Sequence, residues 1–360
     1  MIEYIKQWYE RRFSDPDAVT LVLLLGISFL VIILFGDVLA PILVAVVFAY
    51  LLEWPIQWVV RLGVPRITAV ALVFISFLAL IIILVVFLVP VIWQQSIALV
   101  AELPQMLAQV KILLARLPEL FPEFISERNI TTFIDNVTSR ALMFGELLLS
   151  QSLSRIVGMM QLMIYFIVVP LLVFFMLKDK RELLRHINRL LPTNRRLIAQ
   201  VSGEMNLQIM NYIRGKAVEV IVVGVAAYIC FALFDLRYAA LLAVLVGLSV
   251  LIPYIGAVVV TIPVVLVAVF QFGWTSMLAW VVISYLIIQA LDGNLLVPLL
   301  FSEVVSLNPV YIIAAVLVFG GLWGFWGVFF AIPLASLVKA VLMALSTQSP
   351  SVVERSTTNE

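Results

Sequence analysis

Residues 252–257 read Ile252-Pro253-Tyr254-Ile255-Gly256-Ala257, and residues 320–327 read Gly320-Gly321-Leu322-Trp323-Gly324-Phe325-Trp326-Gly327. Each cluster interrupts a long apolar stretch near its middle. The arms on either side of the first, 239–252 and 257–270, are about fourteen residues each, whereas a full membrane span needs about twenty. Proline removes a helical hydrogen bond, and glycine permits reversal of the chain. Broken backbone at membrane depth is tolerated only where it is buried in protein or lines a cavity. The spacing therefore predicts two re-entrant or broken helical hairpins. Paired interruptions of this kind mark the binding region of a transporter.

The whole composition agrees. The chain is 64% hydrophobic and only 12% charged, against about 25% charged in ordinary soluble domains. The fold class is an all-α polytopic membrane protein, with about six full transmembrane helices, the two hairpins and an extracytoplasmic helical insertion. One cysteine, Cys230, excludes a disulfide framework and a cysteine metal site. The lone histidine, His186, lies in a basic amphipathic stretch, so no metal centre is expected. Walker A, nucleophile-elbow, zinc and dinucleotide patterns are missing from the sequence. We therefore expect no cofactor and no enzymatic activity. With neither an aromatic platform nor a folded basic domain, no nucleic-acid partner is expected either.

Along the chain, residues 1–17 are polar and residues 18–93 hold three spans: 18–35, 38–52 and 67–93. Gly36-Asp37 is predicted to turn the first into the second. The run at 18–35 is long enough to span, so a retained helix is expected there rather than a cleaved signal peptide. Residues 94–154 carry two amphipathic stripes, Leu103–Leu117 and Ile130–Leu148, expected to be surface helices outside the membrane. A fourth span occupies 155–177. Residues 178–216 form a basic segment, expected to be a solvated linker touching lipid headgroups at most. A fifth span begins near Ala217, and residues 217–345 form the transport core. The tail, 346–360, is polar. The Lys/Arg excess in 1–17, 53–66 and 178–216 places these segments, and both termini, in the cytoplasm. The hairpins then enter from opposite faces. A short echo between residues 257–264 and 327–334 is what an inverted repeat would leave.

Few residues are available for chemistry. Asp292 closes an apolar run beside Gln289 and Asn294, and an acid at membrane depth can hold a cation or carry a proton. Its alternative reading is a helix end at the interface, with Gly293 in the left-handed conformation. Glu219 lies one turn inside the fifth span. It is either an ion site or the partner of Arg214 or Lys216 at the interface. Gln208 and Asn211 precede it and could line the same vestibule. Gly256, Gly320, Gly321, Gly324 and Gly327 could free backbone groups to hold a solute, or could serve close helix packing; Pro253 and Tyr254 join them in the expected pathway, Tyr254 as an aromatic contact for an organic solute. Trp323, Phe325 and Trp326 could wall a pocket for an organic ligand, or act as interfacial anchors.

Long strings carry a resemblance. Gln7-Trp8-Tyr9-Glu10-Arg11-Arg12-Phe13-Ser14-Asp15-Pro16, Phe174-Phe175-Met176-Leu177-Lys178-Asp179-Lys180, Asn211-Tyr212-Ile213-Arg214-Gly215-Lys216 and Ser249–Ala257 make the chain resemble the AI-2E (autoinducer-2 exporter-like) family of membrane proteins. The resemblance extends through 289–298 and 319–333. It implies a multi-pass protein of the bacterial inner membrane, a homo-oligomer, moving a small solute. Export of autoinducer-2 and sodium(lithium)/proton antiport are both linked with the family. The family pattern often has His in the Leu307-Asn308-Pro309 segment. Asn308 cannot titrate, so no proton role carries over to that position. A non-transporting scaffold whose outer helices bind an envelope partner is the alternative outside transport.

Overall fold

The computed structural model describes residues 16–114, 156–190, 196–301 and 308–346, and singly Thr132, Ser139 and Met143. The expectations for residues 1–15, for the stripe at Ile130–Leu148 and for the tail beyond 346 lie outside the described residues. The described chain is helical: α1 (Pro16–Arg61), α2 (Arg66–Ile83), α3 (Val89–Leu114), α4 (Ile156–Lys178), α5 (Lys180–Leu190), α6 (Arg196–Leu233), α7 (Ala239–Ser249), α8 (Ile255–Phe272), α9 (Ser276–Leu291), α10 (Val297–Phe301), α11 (Pro309–Phe329) and α12 (Ala331–Ser346). Among the described residues, seven helical segments are long and apolar enough to cross a membrane. Ile27, Leu34, Ile75, Phe87 and many other large apolar side chains face outward. Water would penalise that surface, whereas lipid does not.

Two compact units form. Unit A takes the described residues of 1–54, 171–214 and 301–360; unit B takes those of 55–170 and 215–300. In unit A, α1 leaves helical geometry at Phe35 (φ −118°, ψ 19°). Leu21 belongs to an apolar cluster with Leu197, Ile198, Val201 and Met205, and the Tyr50 hydroxyl donates to Asn206 Oδ1 at 2.8 Å. A straight helix would put Leu21 and Tyr50 about 43 Å apart. The chain must therefore double back near Gly36-Asp37, as the sequence predicts.

Both predicted hairpins form, one in each unit. In unit B, α7 and α8 pack Ala243, Val246 and Val250 with Val260, Val264 and Val267. A Cβ on Gly256 would fall on the Ser249 carbonyl oxygen, so the arms touch backbone to backbone just past the tip. In unit A, α11 reverses at Gly324, whose φ of 60° and ψ of −136° suit a residue without a Cβ. A Cβ on Gly327 would fall on the Phe319 carbonyl oxygen. Ala315, Val316 and Phe319 pack with Val328, Ala331 and Ala335 across the hairpin. Asn308 caps this element: its Oδ1 accepts from Val310 N at 3.0 Å, and Pro309 takes the first helical position.

Three expectations are corrected. The third span does not end at Trp93, and residues 94–114 are not a separate surface helix. Helix runs from Arg66 to Leu114 through a π turn at Leu84–Leu88. Pro90 has no N–H for the Val86 carbonyl and would clash with it, and a wider turn just upstream relieves both. The basic segment is not a linker over 196–216, because α6 starts at Arg196 and runs unbroken into the fifth span. Finally, Gln289–Asn294 does not end a helix. A second π turn, Asp292–Leu296, carries α9 on into α10, with Val297 N–H bonded to Asp292 O. Pro298 stands two residues beyond it, just as Pro90 stands two beyond Leu88. Gly293 is not left-handed, and Asp292 keeps helical dihedrals (φ −58°, ψ −58°).

Candidate functional site

Unit B gathers the charged candidates. Glu219, on α6, pairs with Lys216 one turn earlier, Oε2 to Nζ at 2.8 Å, with side chains only 2% and 7% exposed. The Lys216 ammonium also donates to the Val250 carbonyl oxygen at 2.7 Å. Val250 caps α7 at the tip of the Pro253 hairpin, where helix-end carbonyls lack intrahelical partners. Of the two bases the sequence offered, Glu219 thus pairs with Lys216, and both side chains are buried. The sequence reading missed the tether to Val250. Its only signal was a lysine three residues before an acid where the apolar run from Ala217 begins.

Asp292 lies within electrostatic reach of both Lys216 and Glu219. Its Oδ1 is buried and has no hydrogen-bond partner among the described residues. On α9 it continues the stripe of Leu278, Val281 and Tyr285, all buried. Gln289 shares that face. Its Nε2 donates to the Tyr285 hydroxyl at 3.0 Å, which lies 2.9 Å from Thr261 Oγ1 on α8. Thr261 in turn donates to Ala257 O at 2.7 Å. A polar line therefore runs from Gln289 to the first turn of α8, behind the hairpin tip. Tyr285 and Thr261 sit in apolar runs that gave no reason to single them out. Asn294 is not part of this line: its Nδ2 turns back to Ala290 O at 2.8 Å on its own helix, and it is exposed. Pro253 and Tyr254 form the tip itself, and Tyr254 holds a positive φ of 61°.

Where α7 begins in unit B, Arg237 bonds Glu102 at 2.7 Å and lies over the Tyr238 ring at 5.5 Å. Burial, with the Glu102 carboxylate beside it, pushes the Tyr238 hydroxyl above the usual tyrosine range.

The remaining candidates belong to unit A. Asn211 is half-buried on α6. One residue on, the Tyr212 hydroxyl donates to Phe329 O at 2.7 Å, at the end of α11. Gly320 faces Val328, and Gly321 has open space around it. Trp326 packs edge-on to Phe325 at 5.5 Å and stacks on Phe330 at 6.2 Å. Trp323 lies against Gly36, whose Cα would leave an added Cβ 2.5 Å from the indole nitrogen. That Nε1 is buried without a partner among the described residues.

Among the described residues, seven candidate spans, a helical hairpin in each unit and a buried ion pair with an acid in electrostatic reach define a polytopic, all-helical membrane protein. The chain belongs to the AI-2E transporter family, whose pattern matches residues 2–347. It is 51% identical over 344 residues to the Escherichia coli (strain K12) protein named "Putative permease PerM", covering 96% of this chain and 98% of that one. It is 27% identical to "Putative transport protein sll0063" of Synechocystis sp., over 96% of this chain and 90% of that one. It is 24% identical to "Putative transport protein YueF" of Bacillus subtilis (strain 168), over 87% and 85%.

Proposed function

We propose that the chain is a secondary transporter that moves a small solute across the bacterial inner membrane, with Asp292 as the group that meets the moving ion or solute. The observation that carries this is the position of Asp292. It stands in a π turn within a long apolar helix, with one oxygen buried and unbonded, beside the Lys216–Glu219 pair. An acid in that setting is costly unless a cation, a proton or a polar solute visits it, and π turns recur at functional positions. The Lys/Arg distribution supports cytoplasmic termini.

Two readings of the cargo follow. Family membership and the relatives' printed names support transport, and the family's name suggests a small organic solute, autoinducer-2 exporter-like. The buried charges of unit B favour sodium(lithium)/proton antiport, which needs few ionisable groups. Reconstitution into liposomes holding a pH dye, under imposed sodium and lithium gradients, separates them. Cation-driven proton movement that disappears in Asp292→Asn supports antiport. Proton movement unchanged in Asp292→Asn removes this residue from the mechanism. Correctly folded protein with no cation-driven signal leaves the organic solute. No flux of either kind, together with crosslinks from residues 94–114 to an envelope protein, supports the scaffold.

A further inference from the structure

The Pro253 hairpin shares an apolar cluster with Val223, Ala227 and Phe231 of α6, and two close contacts with α6 lie along its first arm towards the tip. At the first, Gly247 of α7 meets α6 backbone: a Cβ there would lie 2.9 Å from Val220 O and 3.0 Å from Gly224 Cα. No side chain intervenes, so this crossing is a fixed bearing. The second lies three residues further towards the tip, where Lys216 holds the Val250 carbonyl. Beyond it the tip's backbone bonds among the described residues are short-range, Leu251 N to Leu248 O, Ile252 N to Ser249 O, Ile255 N to Pro253 O and Gly256 N to Ile252 O. The crossing is apolar and permanent in kind. The lysine contact is charged: its ammonium meets Glu219 on its own helix and Val250 O at the tip, and Asp292 on the π turn lies within its electrostatic reach.

We propose that Lys216 is a latch on the Pro253 hairpin, closed when the charge of Asp292 is covered and released when it is bare. This rests on Asp292 being the site of the moving ion or solute. A bare Asp292 attracts the Lys216 ammonium away from a neutral carbonyl, because an ion pair outcompetes a charge–dipole contact in apolar surroundings. Covering Asp292 with a cation or a proton leaves Glu219 and Val250 O, which Lys216 contacts at 2.8 and 2.7 Å, as the better partners. The tip then pivots about the Gly224–Gly247 crossing only when the site is empty. A transporter needs such a rule, because a hairpin that locks over a loaded site and loosens over an empty one ties movement to occupancy. Lys216 is a positioning residue in this scheme; it acts on the cargo through the hairpin.

Thiol labelling of Val250→Cys tests it, in full-length protein in liposomes with Cys230 replaced by alanine. Val250 is buried in the hairpin core, and its carbonyl survives the substitution. Lys216→Met is expected to speed labelling roughly tenfold or more, the scale of one charge-assisted hydrogen bond, and Lys216→Arg to restore it. Asp292→Asn, which mimics a covered site, is expected to slow labelling, and the double substitution Asp292→Asn with Lys216→Met to label as fast as Lys216→Met alone. Should Lys216→Met not fold, Glu219→Gln removes the anion that steadies Lys216 and is expected to speed labelling. Equal rates in wild type and the folded Lys216 or Glu219 variant would overturn the latch, as would an Asp292→Asn effect that persists without Lys216. Loss of flux in Asp292→Asn is read separately: if flux is unchanged the site assignment fails, whatever the labelling shows.

Discussion

Gly256→Ala places a methyl group where the structure has backbone. The added carbon would lie 2.7 Å from the Ser249 carbonyl carbon and 3.1 Å from its Cα, and it would fall on the oxygen itself. Ordinary contact starts at 3.4 Å, so the carbonyl carbon must retreat by about 0.7 Å and the oxygen by more. A flexible side chain could swing aside, but Ser249 closes α7, and its carbonyl also accepts Ile252 N at 3.1 Å. The arms must part, and the facing rows of Ala243, Val246, Val260 and Val264 lose contact with them. Overpacking against backbone costs about 3 kcal/mol, which for a unit of this size lowers the unfolding midpoint by roughly 6–10 °C. Thermal unfolding in detergent, followed by circular dichroism and by flux in liposomes, measures both effects. Gly321→Ala is the control, since nothing lies within 4 Å of its Cβ position. It is expected to be neutral or stabilising by up to about 1 kcal/mol. A Gly256→Ala protein that unfolds within roughly 2 °C of wild type, with flux intact, would refute the backbone contact at the hairpin neck.

Gly324→Ala should destabilise by roughly 1–3 kcal/mol through backbone strain alone, because its φ of 60° and ψ of −136° are open to glycine and costly for alanine; Gly324→Ala unfolding at the wild-type midpoint would contradict the reversal there. Tyr285→Phe removes the hydroxyl shared by Thr261 and Gln289 and should cost about 1–2 kcal/mol. A double-mutant cycle with Thr261→Val should show coupling, whereas additive effects would separate the two hydroxyls. Alkali should weaken unit B through Tyr238. Its folded hydroxyl titrates higher than the unfolded one, so its contribution is present below about pH 10 and lost as pH rises beyond it. Unfolding midpoints between about pH 9 and pH 11 should fall in wild type and flatten in Tyr238→Phe.

The hairpins were legible because the signal is a hard one. Pro253, Gly256 and the glycines from 320 to 327 interrupt long apolar runs near their middle, and few folds accommodate that in lipid; the arm after the first tip, Ile255–Phe272, is longer than the fourteen residues expected and is itself a candidate span. The reversal after the first span was legible for the same reason, through Gly36-Asp37. The continuations were not. At Trp93 the apolar pattern thins, but nothing in the sequence stops a helix there, and hydropathy reports the solvent rather than the backbone. At 196–216 the charges suggested a linker, although Leu197, Ile198, Val201 and Met205 form a buried stripe between them. Gly293 suggested a helix end beside Asp292, and the opposite occurred, because the proline that matters, Pro298, is accommodated by widening the helix. Among site residues, acids in apolar runs announced themselves. Tyr285, Thr261 and the Val250 carbonyl did not, since a tyrosine, a threonine or a backbone oxygen becomes informative only once its neighbours are known.

The two π turns also alter how the chain keeps count. Each adds one residue to a helix without lengthening its hydrogen-bonded path by a full step, so side chains beyond it are rotated by about 100° from where an unbroken helix would carry them. A periodicity traced from Ser276 loses phase after Leu296, and one traced from Arg66 loses phase after Leu88. Each of these two long helices of unit B is therefore two faces joined end to end. Removing a single residue from 292–296 would let an ordinary α-helix carry the residues beyond it to where the π turn carries them now, at the loss of the widened turn itself. The extra residue of this segment, as much as its composition, gives Asp292 a widened turn to stand in.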